Sequence, residues 1–221
     1  IKWFLFAFLA IGVGLYPIMY FILDPMFGLL STKSSALLAD RMYNIGFYTH
    51  IIFGGIALLS GWSQFSPKLR ARNLPLHRLL GKIYLVSVLL SASAGIYIAF
   101  QATGGLVAVT GFLGLGLAWF FTSAKAYASI RKKQIQLHEK WMIYSYAACF
   151  AAVTLRLWLP LLTALHAGDF LPAYRIVAWL CWVPNILFAM YLNSKTVKPL
   201  ASSIATAFLL LLLPACKPAA T

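Results

Sequence analysis

The sequence predicts an all-α protein that crosses a membrane as a bundle of six helices. Hydrophobic residues make up 62% of the 221 residues and charged residues only 10%, far below the roughly 25% that is typical of soluble domains. Apolar runs of about 20 residues recur along the chain, and each is long enough to cross a hydrocarbon core of roughly 30 Å. Because these runs leave no room for a soluble domain, we expect a single membrane domain over residues 1–195.

The six predicted spans follow one another with short connections. Their expected bounds are 3–23, 44–64, 79–101, 106–130, 141–165 and 175–193. The first run lacks a small-residue cleavage site of the signal-peptide kind, so we expect it to remain as a helix. The tail, residues 196–221, has an apolar segment that is too short to span a bilayer, and we expect that segment to lie at the membrane interface.

Basic residues concentrate in two of the connections, 65–78 and 131–140. Since cytoplasmic loops carry an excess of lysine and arginine, both connections and both chain termini are predicted to be cytoplasmic. The same placement explains the net charge of +14 without any nucleic-acid partner. The basic residues of the two connections are Lys68, Arg70, Arg72, Arg78, Arg131, Lys132, Lys133 and Lys140.

His50 lies in the second predicted span, roughly 9 Å from its outer end at ~1.5 Å per residue. Gly46, Gly54, Ala57 and Gly61 are its helical neighbours. Small residues at this spacing form a groove that another helix or a flat cofactor can approach closely. His50 is therefore either a histidine hydrogen-bonded across a tight helix pair or a ligand-binding or redox residue.

His77 and His138 lie at predicted cytoplasmic helix starts, beside Arg78 and Lys140 respectively. Helix N-termini carry free N–H groups and partial positive charge, so these positions could bind an anion or a quinone headgroup. Two histidines on adjacent helices are also the minimum needed to hold one b-type haem or a metal ion. The alternative is a pair of polar caps at the interface.

Arg156 stands in an apolar stretch, "AAVTLRLWLP", with no acidic residue in any predicted span interior. Its side chain either reaches towards lipid phosphates or needs a partner inside the protein. That partner would be a backbone carbonyl, Asp24 or Asp40, or a bound anion such as a haem propionate or a quinone oxygen. Helical spacing puts it on one stripe that starts ~27 Å away at 1.5 Å per residue. The stripe comprises His138, Trp141, Ser145, Ala148, Ala152 and Arg156.

Asn185 follows Pro184 within the sixth predicted span. Its amide either replaces the backbone hydrogen bond that proline removes or donates to a ligand. His166 is expected to be an ordinary loop residue. The cysteines show no CxxC spacing and are expected to serve packing. The chain also lacks P-loop, HExxH and GxSxG motifs and has no intramembrane carboxylate pair, which argues against a hydrolase, an ATP-driven pump or a carboxylate-relay transporter.

Several segments together resemble the bacterial integral-membrane family catalogued as domain of unknown function 2306. They are "HIIFGGIALLSGWSQF" (50–65), "HRLLGKIY" (77–84), "GFLGLGLAWFFTSAKAY" (111–127), "HEKWMIYSYA" (138–147), "TLRLWLPLL" (154–162) and "AWLCWVPN" (178–185). The resemblance covers roughly residues 44–193 and implies a bacterial cytoplasmic membrane, but no activity. The positions matching the family pattern are His50, His77, Arg78, His138, Trp141, Arg156 and Asn185.

Two functional hypotheses remain open from the sequence. In the first, the histidines bind a b-type haem, a metal or a quinone for membrane electron transfer with a redox partner. Arg156 would then neutralise an anionic group near the outer face. In the second, the protein is a non-enzymatic membrane component, either an accessory subunit or a carrier for a small or lipidic anion that uses Arg156 and the basic helix starts.

Overall fold

A computed structural model describes residues 2–23 and 27–194, and within them the regular structure is helical throughout. Short 3₁₀ turns at Tyr16–Ile18, Gly28–Thr32 and Trp62–Phe65 join some of the helices. The predicted interfacial tail and Asp24 lie outside the described residues. The α-helices are α1 (Lys2–Leu15), α2 (Met19–Ile22), α3 (Ser35–Ala39), α4 (Arg41–Gly61), α5 (Pro67–Arg72), α6 (Leu74–Ala99), α7 (Leu106–Arg131), α8 (Ile135–Cys149), α9 (Ala151–Leu165), α10 (Phe170–Leu180) and α11 (Val183–Ser194).

Six stretches of this helical chain are long and apolar enough to cross a membrane, which confirms the predicted all-α, six-helix architecture. We number them as the first to the sixth span. The end carrying the loops 65–73 and 131–135 is called the basic end below, and the other is called the opposite end. The spans are Trp3–Ile22, Arg41–Phe65, Leu74–Ala99, Leu106–Arg131, Ile135–Leu165 and Phe170–Ser194.

Four spans begin earlier than predicted, and polar side chains cap three of them. Asp40 accepts hydrogen bonds from the first backbone N–H groups of α4, and Asp169 does the same for α10. The Asn73 side chain accepts from Leu76 N at the start of α6. Caps of this kind satisfy N–H groups that have no partner within the helix, so the helix extends beyond its apolar run.

Three spans predicted as continuous helices are interrupted. The first changes to a 3₁₀ turn that contains Pro17, and the sixth breaks between Leu180 and Val183, just before Pro184. Proline lacks the backbone N–H needed to continue the helical hydrogen bonds. The fifth span breaks at Phe150, where no proline is present.

Glycines allow the spans to pack closely. A Cβ on Gly61 would lie 2.4 Å from the Tyr146 ring, and one on Gly111 would lie 2.8 Å from Ala178 O. Close approach through small residues is a common way for helices to associate in lipid. The centre of the bundle is filled by aromatic side chains that include the fully buried Tyr84, Tyr146 and Phe150.

Polar contacts join the connections at each end of the bundle. At the opposite end, Lys33 Nζ donates to Gln101 O at 2.6 Å, and Arg175 Nε donates to Gly104 O at 2.9 Å. Burial in this contact lowers the pKa of Lys33. At the basic end, Arg70 forms an ion pair with Glu139 and thereby links α5 to α8.

Candidate functional site

Arg156 points into the bundle rather than towards the outer headgroups. Its Nη1 donates to Ala152 O at 2.9 Å, one turn back along α9, and its guanidinium carbon lies 4.2 Å from the centre of the Tyr16 ring. Side chains on a helix lean towards its N-terminus, which here means towards the bundle centre. Arg156 Nε is buried and has no hydrogen-bond partner.

No carboxylate among the described residues pairs with this arginine. Asp40 caps α4 by accepting from Met42 N at 2.8 Å, and Asp169 caps α10 by accepting from Leu171 N at 3.0 Å. Glu139 is engaged with Arg70 at the basic end. Among the partners that the sequence suggested for Arg156, a backbone carbonyl, Ala152 O, is bound, whereas Asp40 caps α4 instead.

His50 lies at a depth similar to that of Arg156. His50 is nine residues from the start of α4 and Arg156 nine residues from the end of α9, so each is roughly 14 Å inside the opposite end at 1.5 Å per residue. The His50 Nδ1–H donates to Ser91 O at 2.9 Å, and Ser91 Oγ donates back to His50 O at 2.8 Å. The charge of Arg156 also acts on His50, so the two residues lie in the same region of the bundle.

The Tyr16 ring that covers Arg156 belongs to a cluster of aromatic residues at the opposite end of the first two spans. Tyr16 and Tyr20 meet edge-on with ring centres 5.9 Å apart, and Tyr20 meets Phe47 at 5.3 Å. Phe27 packs on both tyrosines. We call Arg156, His50, Tyr16 and Tyr20 the arginine site, because the Arg156 charge acts on the other three residues.

The predicted glycine groove on the second span is occupied by the third span. A Cβ on Gly54 would lie 3.2 Å from Ser91 Oγ, and one on Gly46 would lie 2.8 Å from the Tyr97 ring. The small residues at Gly46 and Gly54 thus admit a neighbouring helix. His50 lies on the same interface, where a Cβ on Gly95 would meet its ring at 2.8 Å.

His77 and His138 come together at the basic end, away from His50. The charge of His138 acts on His77, and so does the charge of the exposed Arg78. His138 Nδ1–H donates to Ala126 O at 2.8 Å, whereas His77 Nδ1 is buried without a partner. Because His50 lies in the other half of the bundle, the three histidines do not converge. No group of three or more His, Cys, Asp or Glu that could hold a metal ion occurs within residues 2–23 and 27–194, and haem, metal or quinone binding gains no support.

Asn185 joins the fifth and sixth spans at the points where their helices are interrupted. Its Nδ2 donates to Cys181 O at 3.0 Å, to Ala147 O at 3.2 Å and to Thr154 Oγ1 at 3.2 Å. Thr154 Oγ1 in turn donates to Cys181 O at 2.5 Å. These bonds supply donors to carbonyls at the helix breaks, in keeping with the backbone-repair interpretation of Asn185.

Two other residues of the predicted stripe on the fifth span face the bundle interior, whereas Trp141 is half-buried. Ser145 and Ala148 are buried, and Trp141 packs edge-on against Phe121 with ring centres 5.7 Å apart. Cys149 and Cys181 are buried free thiols. Cys216 lies outside the described residues.

Three functional features were not anticipated from the sequence. Ser145 Oγ bonds to Tyr84 Oη at 2.7 Å and to Ser123 Oγ at 2.6 Å, which forms a buried network across three spans. Tyr16 covers Arg156, and Gln64 Nε2 is buried without a partner. A glutamine in the last turn of an apolar span was a sequence signal that could have drawn attention to Gln64. No local sequence pattern could have paired Tyr16 with Arg156.

Comparison with known families places this architecture in one of them. The chain matches the family described as predicted membrane protein, DUF2306, over residues 47–193. The match covers well over half of the chain, so the protein belongs to this family. His50 and Arg156 lie within the match, whereas Tyr16 and Tyr20 precede it. Comparisons with curated proteins and with solved structures gave no match.

Proposed function

We propose that the protein is a non-enzymatic membrane carrier for a small or lipidic organic anion, whose carboxylate binds at the arginine site. The observation that supports this proposal is the buried, partnerless Nε of Arg156. An arginine guanidinium is always charged in proteins, and a buried charge is normally paired. An anionic ligand would supply the missing partner.

The free edge of the guanidinium suits a carboxylate. Nη1 is already used by Ala152 O, which leaves Nε and the adjacent Nη2 as the side-on edge. Two parallel N–H groups on this edge match the two oxygens of a carboxylate and form a bidentate, charge-assisted pair. The Tyr16 ring covers one face of the guanidinium, so a ligand approaches in the plane of the group.

Charge and surroundings favour a monocarboxylate with an apolar or aromatic group attached. Arg156 is the fixed positive charge of the arginine site, and Tyr16, which covers it, packs against further aromatic rings. The site lies roughly 14 Å inside the helix end at 1.5 Å per residue, which is deeper than the level of lipid phosphates. Apolar walls with a few polar groups are typical of small-molecule sites.

The free energies involved support a functional role for the arginine. An arginine at the centre of a membrane helix costs about 2.5–3.5 kcal/mol on insertion scales. The contact with Tyr16 offsets about 1–2 kcal/mol, and the hydrogen bond to Ala152 O offsets a similar amount. The unpaired Nε is the part of the cost that a ligand would remove.

Uptake of labelled benzoate into liposomes containing the protein tests the proposal. Benzoate carries one carboxylate on an apolar ring, and benzamide is its neutral counterpart. We expect the wild-type protein to accelerate benzoate entry relative to empty liposomes, and Arg156→Gln to lose at least nine-tenths of this activity. Arg175→Gln, which alters an arginine bound to Gly104 O at the opposite end, is the control and should retain it. Benzoate entry that is unaffected by Arg156→Gln would contradict the proposal.

The electron-transfer hypothesis makes a different prediction for the purified protein. A b-type haem held by His77 and His138 would give a Soret band, and a bound quinone would co-purify. The carrier proposal predicts neither in protein purified from membranes, because it assigns no cofactor to His77 and His138. The carrier proposal also assumes that the basic end faces the cytoplasm of a bacterial cell, as the distribution of lysine and arginine suggests.

A further inference from the structure

Two of the buried polar atoms without partners lie at the basic end of the bundle. They are Gln64 Nε2, on the 3₁₀ turn that ends the second span, and His77 Nδ1, in the first turns of α6. Buried polar groups are nearly always hydrogen-bonded, so each exception calls for an explanation. The presence of two in one region suggests a shared partner.

Gln64 and His77 both lie along one face of α6. A Cβ on Gly81 would lie 3.2 Å from Gln64 Oε1, so the Gln64 side chain rests on α6 at Gly81. His77 precedes Gly81 by four residues and therefore lies on the same face of α6, one turn nearer the basic end. The missing side chain at Gly81 leaves the room that Gln64 occupies.

The charges around His77 favour a negatively charged partner. Arg70, Arg78 and His138 act on His77 as positive or potentially positive groups, and Glu139 is the acidic residue that acts on it. Glu139 is already paired with Arg70. The groups that could meet a ligand are thus the amide N–H of Gln64, the ring nitrogen of His77 and the positive field of Arg78.

We propose that Gln64 and His77 form a second carboxylate site at the basic end. One oxygen of the ligand accepts from Gln64 Nε2 and another accepts from His77 Nδ1–H. The proposal rests on the carrier function above, for which it supplies a second binding site at the other end of the bundle. It predicts that the same monocarboxylate occupies either of two separate sites.

An ordered water molecule could also satisfy both atoms, so the experiment must distinguish an anion from water. The chain has four histidines, and two of them report on the two sites, since His50 neighbours Arg156 and His77 belongs to the new site. We would label the histidine rings with ¹³C, assign them with single His→Gln variants and titrate the purified full chain with benzoate or benzamide.

Benzoate, but not benzamide, should shift the His50 and His77 signals along saturable curves, while His166 should not move. In Arg156→Gln, the His50 response should disappear and the His77 response should remain. In Gln64→Leu, the His77 response should weaken at least tenfold in apparent affinity while His50 responds normally. Gln136→Leu, at an exposed position of the same end, is the control.

The possible failures can be told apart. Two outcomes would overturn the second site without affecting the carrier proposal. In one, benzoate shifts the His50 signal normally but not the His77 signal, and in the other, benzamide shifts the His77 signal as benzoate does. A motionless His50 would overturn the proposed function at Arg156. Gln64→Glu provides a second variant of nearly equal shape, and an undiminished His77 response in that variant would also contradict an anion site.

Discussion

Asn185 and Arg156 are both polar residues inside membrane-spanning helices, but their surroundings differ in one respect. Every donor contact of the Asn185 amide that the structure describes goes to another part of the protein, across the breaks of the fifth and sixth spans. Arg156 has one carbonyl, one aromatic ring and an unused Nε. Completed hydrogen bonds characterise a residue that stabilises the fold, whereas an incomplete set indicates a residue that awaits a ligand.

The largest effect on stability is expected for Asn185→Leu. This change removes donors from Ala147 O, Cys181 O and Thr154 Oγ1 at the helix breaks. Thr154 Oγ1 and Cys181 O keep their mutual bond, so the loss is that of one unpaired buried group, at about 1–3 kcal/mol, plus two weakened bonds at about 0.5 kcal/mol each. A loss of about 2–4 kcal/mol in the free energy of unfolding is therefore expected. Thermal denaturation in detergent measures it. Asn193→Leu, with one weak bond at 3.3 Å, should change stability much less, and equal losses would remove the contrast with Arg156.

Arg156→Met should have the opposite sign in the absence of ligand. Replacing an unpaired buried charge by an apolar side chain of similar length is expected to stabilise the empty protein by about 1–3 kcal/mol. The same denaturation experiment applies, and added benzoate should then stabilise the wild-type protein but not the variant. Destabilisation of the variant by an amount similar to that of Asn185→Leu would show that Arg156 is structural.

Ser145→Ala tests the second fully paired region. Its hydroxyl links Tyr84 to Ser123, and hydrogen bonds between membrane helices average about 0.6 kcal/mol each, so a loss of about 1 kcal/mol is expected. Benzoate binding should be unchanged. Ser63→Ala, which removes a bond to Ser60 O within one chain segment, is the control.

The smallest effect is expected for Glu139→Gln. The Arg70–Glu139 pair is partly exposed, and pairs of this kind contribute about 0.2–1 kcal/mol, with further weakening by salt. The loss of stability should therefore be under about 1 kcal/mol at low salt and should vanish in concentrated salt. A larger, salt-independent loss would indicate that the basic end is held together by this pair.

Hydropathy and charge predicted the architecture well because membrane spans depend on properties that add along the sequence. Six spans, with basic residues at one end, follow from counting apolar residues and lysines. Helix starts such as Arg41 and Leu74 were predicted late, because polar caps extend helices beyond their apolar runs. The break near Cys181 lies just before Pro184, a local signal that the sequence analysis noted while still predicting a continuous span. The break at Phe150 was not predicted, since no proline or glycine marks it.

The candidate site was predicted only in part. His50 and Arg156 were both proposed as ligand-binding residues, and they lie at comparable depth, with the charge of Arg156 acting on His50. His50, His77 and His138 were all offered as cofactor or quinone contacts, with only His77 and His138 expected at the cytoplasmic helix starts. The structure keeps this division, since His77 and His138 lie near the starts of α6 and α8 and His50 lies in the other half of the bundle. Tyr16 was overlooked, since an aromatic residue within an apolar run carries no sign in the sequence that a distant arginine stacks on it.

The central claim is that the free edge of Arg156 binds a carboxylate, and the Nε–H signal of this residue in an NMR spectrum of ¹⁵N-arginine-labelled protein tests it most directly. The Arg156 signal, identified by its absence in Arg156→Gln, should move downfield on titration with benzoate, because the proton enters a short charge-assisted hydrogen bond. Benzamide should leave it in place. An Arg156 Nε–H signal that does not respond to benzoate, in protein that remains folded, would contradict the account.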